Sequence, residues 1–171
     1  MNFIVMGVAG SGKSTVAKLL AARLQAEFLE GDDFHPPANV AQMSNGLALT
    51  DADRLPWLVN LNRIIGARNE LGRPFVLACS ALKKSYRQQL AAGGYPLLFF
   101  YLKGTSELIT QRMQQRKNHF MSTDLVISQF EALQEPEEEE CAVTVSIDGS
   151  VEQILQQVIR AIADIKTYSQ V

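Results

Sequence analysis

The sequence predicts an α/β fold: a parallel sheet buried on both faces, with helices covering each side. Three observations carry that expectation. Short apolar runs alternate along the chain with stretches of helical period, the pattern of βαβ units. The runs are continuous rather than alternating, as in strands buried on both faces. Between the first run and the first helical stretch lies Gly7-Val8-Ala9-Gly10-Ser11-Gly12-Lys13-Ser14, which matches the phosphate-binding loop Gly-x-x-x-x-Gly-Lys-Ser in full.

Each element follows from its own residues. Residues 3–6 (Phe-Ile-Val-Met) form the first strand. Residues 13–25 form a helix whose Val16, Ala17, Leu19, Leu20 and Leu24 are spaced to cover one stripe. A second strand spans 27–31. A helix runs from about 54 to 71 and stops at Gly72, with Pro74 just beyond. The third strand is 75–79, followed by a helix over 83–91 and the breakers Gly93-Gly94-Tyr95-Pro96. A fourth strand (97–102), a helix (106–116), a fifth strand (143–147) and an amphipathic helix (151–165) complete the series. Two polar stretches, 31–50 and 116–124, resist the pattern. Both follow strand carboxyl ends, where α/β sheets place their ligands. The glutamates at 137–140 read as a solvated turn.

Length and composition narrow the function. The 171 residues suit a single domain, 1–171, able to bury a full core. A net charge of −2 leaves no general basic field to attract nucleic acid. The apolar run at the start is too short for a secretory segment, and no run approaches the length that spans a bilayer. Cys79 and Cys141, the two cysteines, have no metal-ligand spacing and read as buried small hydrophobes. A cytoplasmic protein with no nucleic-acid or membrane partner is expected.

The glycine-rich loop specifies the donor. Its backbone N–H groups form an anion nest, and the helix starting near Lys13 adds its positive dipole end. Gly7, Val8, Ala9, Gly10, Ser11, Gly12, Lys13, Ser14 and the adjoining Thr15 are the expected nucleotide-binding set, taking ATP. Lys13 is expected to bridge the β- and γ-phosphates, and Ser14 to hold Mg²⁺. The third strand ends in Cys79-Ser80 without the acid that NTPases commonly place near the metal, so Glu30 and Asp32 are the nearest compensating carboxylates. No Asn-Lys-x-Asp guanine-reading motif is present. Arg112 and Arg116, four residues apart on one helical face, suit a lid that closes over the triphosphate, neutralises charge and excludes water. A basic helix end in solvent is the alternative. Together these features describe a small-molecule kinase.

Several further motifs resemble the gluconate kinase (gluconokinase) family. They are Gly31-Asp32-Asp33-Phe34-His35-Pro36, Asp51-Ala52-Asp53-Arg54-Leu55-Pro56-Trp57-Leu58, and Cys79-Ser80-Ala81-Leu82-Lys83-Lys84-x-Tyr86-Arg87. Arg112-x-x-x-Arg116-x-x-His119-Phe120 and Gln129-Phe130-Glu131-x-Leu133-Gln134-Glu135-Pro136 follow in order, so the resemblance covers nearly the whole chain. It implies transfer of the ATP γ-phosphate to the 6-hydroxyl of D-gluconate. It also implies a P-loop NTPase fold similar to nucleoside monophosphate kinases and shikimate kinase, with a five-stranded parallel sheet. A substrate-binding insertion at about 32–58, a lid at about 112–124 and a homodimer complete what it implies. Glu30 stands where close relatives often carry Asp.

Gluconate is a polyol carboxylate, so its pocket needs a cation and several hydrogen-bonding groups. Arg54 is the preferred carboxylate clamp; the alternative is a surface pair with Asp51 or Asp53. Asp32 either takes the acceptor proton or only positions the hydroxyl, with Asp33 the weaker competitor. His35 either bonds a substrate hydroxyl or lies on the surface. Ser80 is expected to cap the next helix, with Lys83 and Arg87 one turn apart toward phosphate or carboxylate, or toward solvent. Trp57 is preferred as core packing over a sugar platform. Catalysis is expected from Lys13, Asp32 and Arg116. Residues 147–150 are expected to hold adenine through backbone groups, to form a turn with Ser150 capping the last helix, or both.

Overall fold

The computed structural model describes residues 1–114 and 123–168. Its strands are β1 (Asn2–Met6), β2 (Glu27–Glu30), β3 (Phe75–Ala78), β4 (Leu97–Lys103) and β5 (Ala142–Ser146). They pair in parallel throughout, in the order β2-β3-β1-β4-β5. The chain builds one side of the sheet first and then crosses β1 to build the other. The loop after β1 therefore sits at the switch point, where an α/β sheet opens a crevice.

Strand alternation splits one apolar run between two cores. Phe3 and Val5 of β1 join Val76, Ala78, Leu98, Phe100 and Val145 on one face. That face is covered by α1 (Lys13–Leu24), α5 (Ser106–Gln114), α6 (Thr123–Ala132) and α7 (Val151–Tyr168). Ile4 and Met6 join Leu29, Phe75, Leu77, Phe99 and Tyr101 on the other, under α3 (Asp51–Glu70) and α4 (Lys84–Ala91). Leu19, expected on the buried stripe of α1, is exposed, while Val16, Ala17, Leu20 and Ala21 are buried.

The segment read as irregular from 31 to 50 holds a 3₁₀ turn (Gly31–Phe34) and a helix, α2 (Pro37–Ser44). Pro37 occupies the first turn of α2, where its missing N–H costs nothing. α3 begins three residues earlier than expected because Thr50 and Asp53 close a capping box: the Asp53 amide donates to Thr50 Oγ1 at 3.2 Å, and the Thr50 amide donates to Asp53 Oδ2 at 2.8 Å. α3 ends as its sequence dictates, with Gly72 N–H donating to Asn69 and Arg73 N–H to Arg68, the paired bonds of a Schellman motif. α6 was not expected as a helix. The expected lid, 112–124, falls largely outside the described residues.

The glutamates at 137–140 are not a free solvated turn. Glu140 accepts from Arg87 Nε and Nη2 at 2.5 and 2.7 Å, and Lys84 pairs with Glu137 and Glu139. Of the cysteines, Cys79 is buried as expected but Cys141 is exposed.

Candidate active site

The phosphate loop runs from the end of β1 into α1. Gly12 caps α1 at φ 96°, a left-handed conformation that a Cβ would strain. Gly7 N–H donates to the Ser80 carbonyl at 3.2 Å, so the loop rests on the carboxyl end of β3. Lys13 Nζ donates to the Val8 carbonyl at 3.0 Å, folding back across the loop. The Ser11 hydroxyl is fully buried with no hydrogen-bond partner among the described residues. Ala9 N–H donates to Gln129 Oε1 of α6 at 2.6 Å.

A cavity of about 340 Å³ opens beside this loop. Ala9, Lys13, Asp32, His35, Arg54 and Ser80 line it, joined by Trp57, Gln129 and residues from the end of α2 onward. Five residues expected from sequence to serve donor or acceptor (Lys13, Asp32, His35, Arg54 and Ser80) thus share one wall.

The second strand delivers Asp32 and His35. Gly31 is confined: a Cβ there would lie 2.6 Å from the Ala78 carbonyl, so only glycine lets the chain turn so close to β3. Trp57 Nε1 donates to the Gly31 carbonyl at 2.8 Å, and its ring stacks on His35 with centroids 4.2 Å apart. Trp57 is therefore both buried packing and pocket wall. Asn39 Nδ2 donates to the Asp53 carbonyl at 2.9 Å, which identifies that atom as nitrogen, and lies 3.4 Å from His35 Nδ1. His35 accordingly accepts at Nδ1 and carries its proton on Nε2, 3.9 Å from Asp32 Oδ1. Burial, with help from Arg54, holds the His35 pKa below its ordinary value against the opposing pull of Asp32. The ring is neutral at pH 7 and offers a donor. Asp32 is three-quarters exposed, open to a ligand.

Arg54 is not paired with Asp51 or Asp53. Its Nη1 donates to the Leu49 carbonyl at 2.9 Å, and its guanidinium lies over the Tyr86 ring at 5.8 Å. Asp51 instead accepts from Lys83 Nζ at 2.8 Å and from the Tyr86 hydroxyl, tying the start of α3 to the start of α4. These bonds hold the Asp51 carboxyl below its usual range, the Lys83 contribution being the largest.

Three expectations around α4 need correction. Ser80 does not cap α4; Lys83 occupies the cap position, and Ser80 lies three residues earlier, against the phosphate loop. Lys83 is engaged with Asp51 and is not part of the cavity wall. Arg87 turns inward. It is 2% exposed, and besides Glu140 it donates through Nη1 to the carbonyls of Ala81, Leu82 and Gln134. Ala81, at φ 44°, adopts a conformation rare outside glycine, so Arg87 braces the strained turn that carries Ser80 rather than meeting substrate.

Arg112 is held by backbone carbonyls. Its Nη2 donates to the Ile147 carbonyl at 2.6 Å and lies 3.4 Å from that of Gly149, against the loop after β5. Arg116 lies outside the described residues. Cys79, between β3 and Ser80, is pushed up to about 12 chiefly by burial, so its thiol is inert beside the loop.

The donor set suits Mg²⁺. Ser14 and the carboxylates of Glu30 and Asp32 are hard oxygen groups. The described residues hold no group of three acidic, His or Cys side chains that could cage a metal. Oxygen groups of this kind are the ligands that Mg²⁺ takes, with phosphates and waters completing its shell. Gln129 and α2 were missed by residue-level reasoning. Gln129 had one signal, its place in the Gln129–Pro136 motif, and α2 had Pro37 as a helix-start residue.

Comparison with known proteins agrees with this architecture. A family model described as an AAA domain matches residues 3–139. The thermoresistant gluconokinase of Escherichia coli (strain K12) is 44% identical, over 94% of this chain and 92% of that one. The crystal structure of a gluconokinase from Sinorhizobium meliloti 1021 superposes with a TM-score of 0.90 at 37% identity, covering 99% of this chain and 96% of that one. Shikimate kinase from Acinetobacter baumannii, at 19% identity and a TM-score of 0.62 over 96% of this chain and 94% of that one, shares the fold. With a P-loop kinase fold and close relatives along nearly its whole length, the chain belongs to the gluconokinase family.

Proposed function

We propose that the protein transfers the γ-phosphate of ATP to the 6-hydroxyl of D-gluconate, giving 6-phospho-D-gluconate and ADP. The observation that carries this reading is the single cavity lined by Ala9 and Lys13 of the phosphate loop together with Asp32, His35, Arg54 and Ser80. Donor and acceptor groups that lie far apart in sequence meet there. The transfer forms a bond between the acceptor oxygen and Pγ and breaks the one between Pγ and the β,γ-bridging oxygen; the hydroxyl proton leaves to Asp32 or to water.

In this reading Arg54 pairs the gluconate carboxylate, a role for which a guanidinium's fork is suited. His35 donates from Nε2 to a substrate hydroxyl, and Asp32 orients the attacking one. Positioning dominates, because phosphoryl transfer passes through a loose transition state that needs little base help. Lys13 swings from the Val8 carbonyl to the β- and γ-phosphates. Arg112, against the Ile147 and Gly149 carbonyls, serves the nucleotide together with the loop after β5, and Arg116 closes over the phosphates. Ser14, with Glu30 and Asp32 through water, would hold Mg²⁺, which when bound neutralises phosphate charge. A homodimer in the cytoplasm completes the reading; the family resemblance supports the first, and the unbridged, exposed Cys141 fits a reducing compartment.

A coupled assay for ADP release against a panel of acids decides the acceptor. D-gluconate should be phosphorylated in preference to shikimate and isomeric sugar acids, and chelation of Mg²⁺ should abolish turnover. No turnover at millimolar gluconate, or preference for another acid, would overturn the assignment. Static light scattering tests the dimer.

A further inference from the structure

The Gln129 side chain lines the cavity but has no part in the reaction as described. Gln129 lies on α6, whose inner face is set by Val126 and Phe130, both packed into the core. Their spacing places Gln129 on the same face, three residues from Val126. From there its Oε1 accepts the Ala9 N–H at 2.6 Å, and the side chain lines the cavity with Lys13, Asp32 and Arg54.

The contact fixes the amide's orientation. A backbone N–H only donates, so the atom facing Ala9 is the carbonyl oxygen and the NH₂ group points elsewhere. Among the described residues, none accepts from that NH₂ group. Two donors therefore remain for a ligand, at a residue touching the phosphate loop within a cavity that also holds the acceptor groups. An anionic phosphate oxygen is the strongest acceptor that such a place would receive, and charge-assisted bonds exceed neutral ones. A diphosphate's anionic oxygens end at Pβ, on the phosphate-loop side of the transferable group, so it offers no γ-oxygen to a donor that faces the acceptor groups.

We propose that Gln129 reads the γ-phosphate: its carbonyl braces the Ala9 turn while its NH₂ group donates to a γ-phosphate oxygen. α6 then tells triphosphate from diphosphate, tightening around ATP and losing that bond once the phosphoryl group has moved. The inference rests on the donor half of the proposed function and is independent of the acceptor's identity.

Calorimetric titration with ADP and with the non-hydrolysable β,γ-imido analogue of ATP, in the presence of Mg²⁺, tests it. Two variants are compared with the native chain. Gln129→Glu keeps an oxygen for Ala9 but replaces the donor with a negative charge; Gln129→Met removes both functions at similar volume. Gln129→Glu should weaken the imido analogue by about tenfold or more, the worth of a hydrogen bond to a charged group, and ADP distinctly less, with melting temperature unchanged. Gln129→Met, which also removes the brace on Ala9, should weaken both nucleotides, the imido analogue the more. Equal losses for both nucleotides, which would make Gln129 only a brace, or no loss for either, would overturn the proposal. Failure of gluconate to react would leave this titration unaffected, so the two readings fail separately.

Discussion

Lys13 and Arg54 illustrate how much a single side chain can be asked to do. Lys13 stands in the phosphate loop with its ammonium on the Val8 carbonyl, so an alanine there removes that contact and the charge that the proposed reaction brings to the phosphates. Lys13→Ala should lower kcat by about 10²–10³, in line with loss of one transition-state electrostatic group, while circular dichroism stays native; survival of activity would refute the phosphate-cradle role. Arg54 is held by the Leu49 carbonyl and the Tyr86 ring, and it lines the cavity. Lysine keeps the charge but not the fork. Arg54→Lys should therefore raise KM for gluconate by about tenfold with KM for ATP little changed, as steady-state kinetics in each substrate would show.

At the scale of elements, α4 is pinned to the approach to β5 by Arg87 and Glu140. The Arg87 side chain is 2% exposed and that of Glu140 13%. Glu140→Gln would leave the guanidinium buried without its counter-ion, at a cost of about 3–5 kcal/mol, measurable by urea denaturation. Arg87 also holds the Ala81 and Leu82 carbonyls, so loss of the pair should loosen the turn bearing Ser80 as well. The pair carries a pH signature. Its hydrogen bonds to Arg87 are the main cause that holds the Glu140 carboxyl below its ordinary 4.5. A depressed carboxylate stabilises the fold fully above its unfolded value and loses that contribution as pH falls through the folded one. Native stability should therefore drop below about pH 4.5, and the drop should be shallower in Glu140→Gln; identical acid profiles would show that Glu140 is not among the groups responsible.

Across the whole molecule, the cavity joins parts that belong to different layers: the phosphate loop, the turn after β2, the second turn of α3, and α6. The protein's one tryptophan, Trp57, lies at that junction, stacked on His35 and bonded to Gly31. Gluconate bound beside that stack should change the emission of Trp57, and Arg54→Lys should move the titration midpoint to higher concentration. An emission spectrum indifferent to millimolar gluconate would place the acceptor elsewhere.

Much of this was legible in the residues. Continuous apolar runs required strands buried on both faces, and their alternation with helical periods required parallel pairing. The Gly7–Ser14 pattern made the donor loop readable from spacing alone, because anion binding there depends on local backbone conformation. Long-range partners were not readable. Arg87 and Lys83 look alike in sequence, one turn apart and both basic, yet one is engaged with Glu140 beneath the surface and the other with Asp51 across α3. Glu140 read as solvated because nothing near it in sequence reveals Arg87, 53 residues away. Sequence by itself determined the sheet, the helices that alternate with its strands and the phosphate loop, since these arise from local propensity and periodicity, while α2 and α6 escaped it. Only the tertiary structure decided which charges meet and that Gln129 closes on Ala9, because those contacts depend on how distant elements pack.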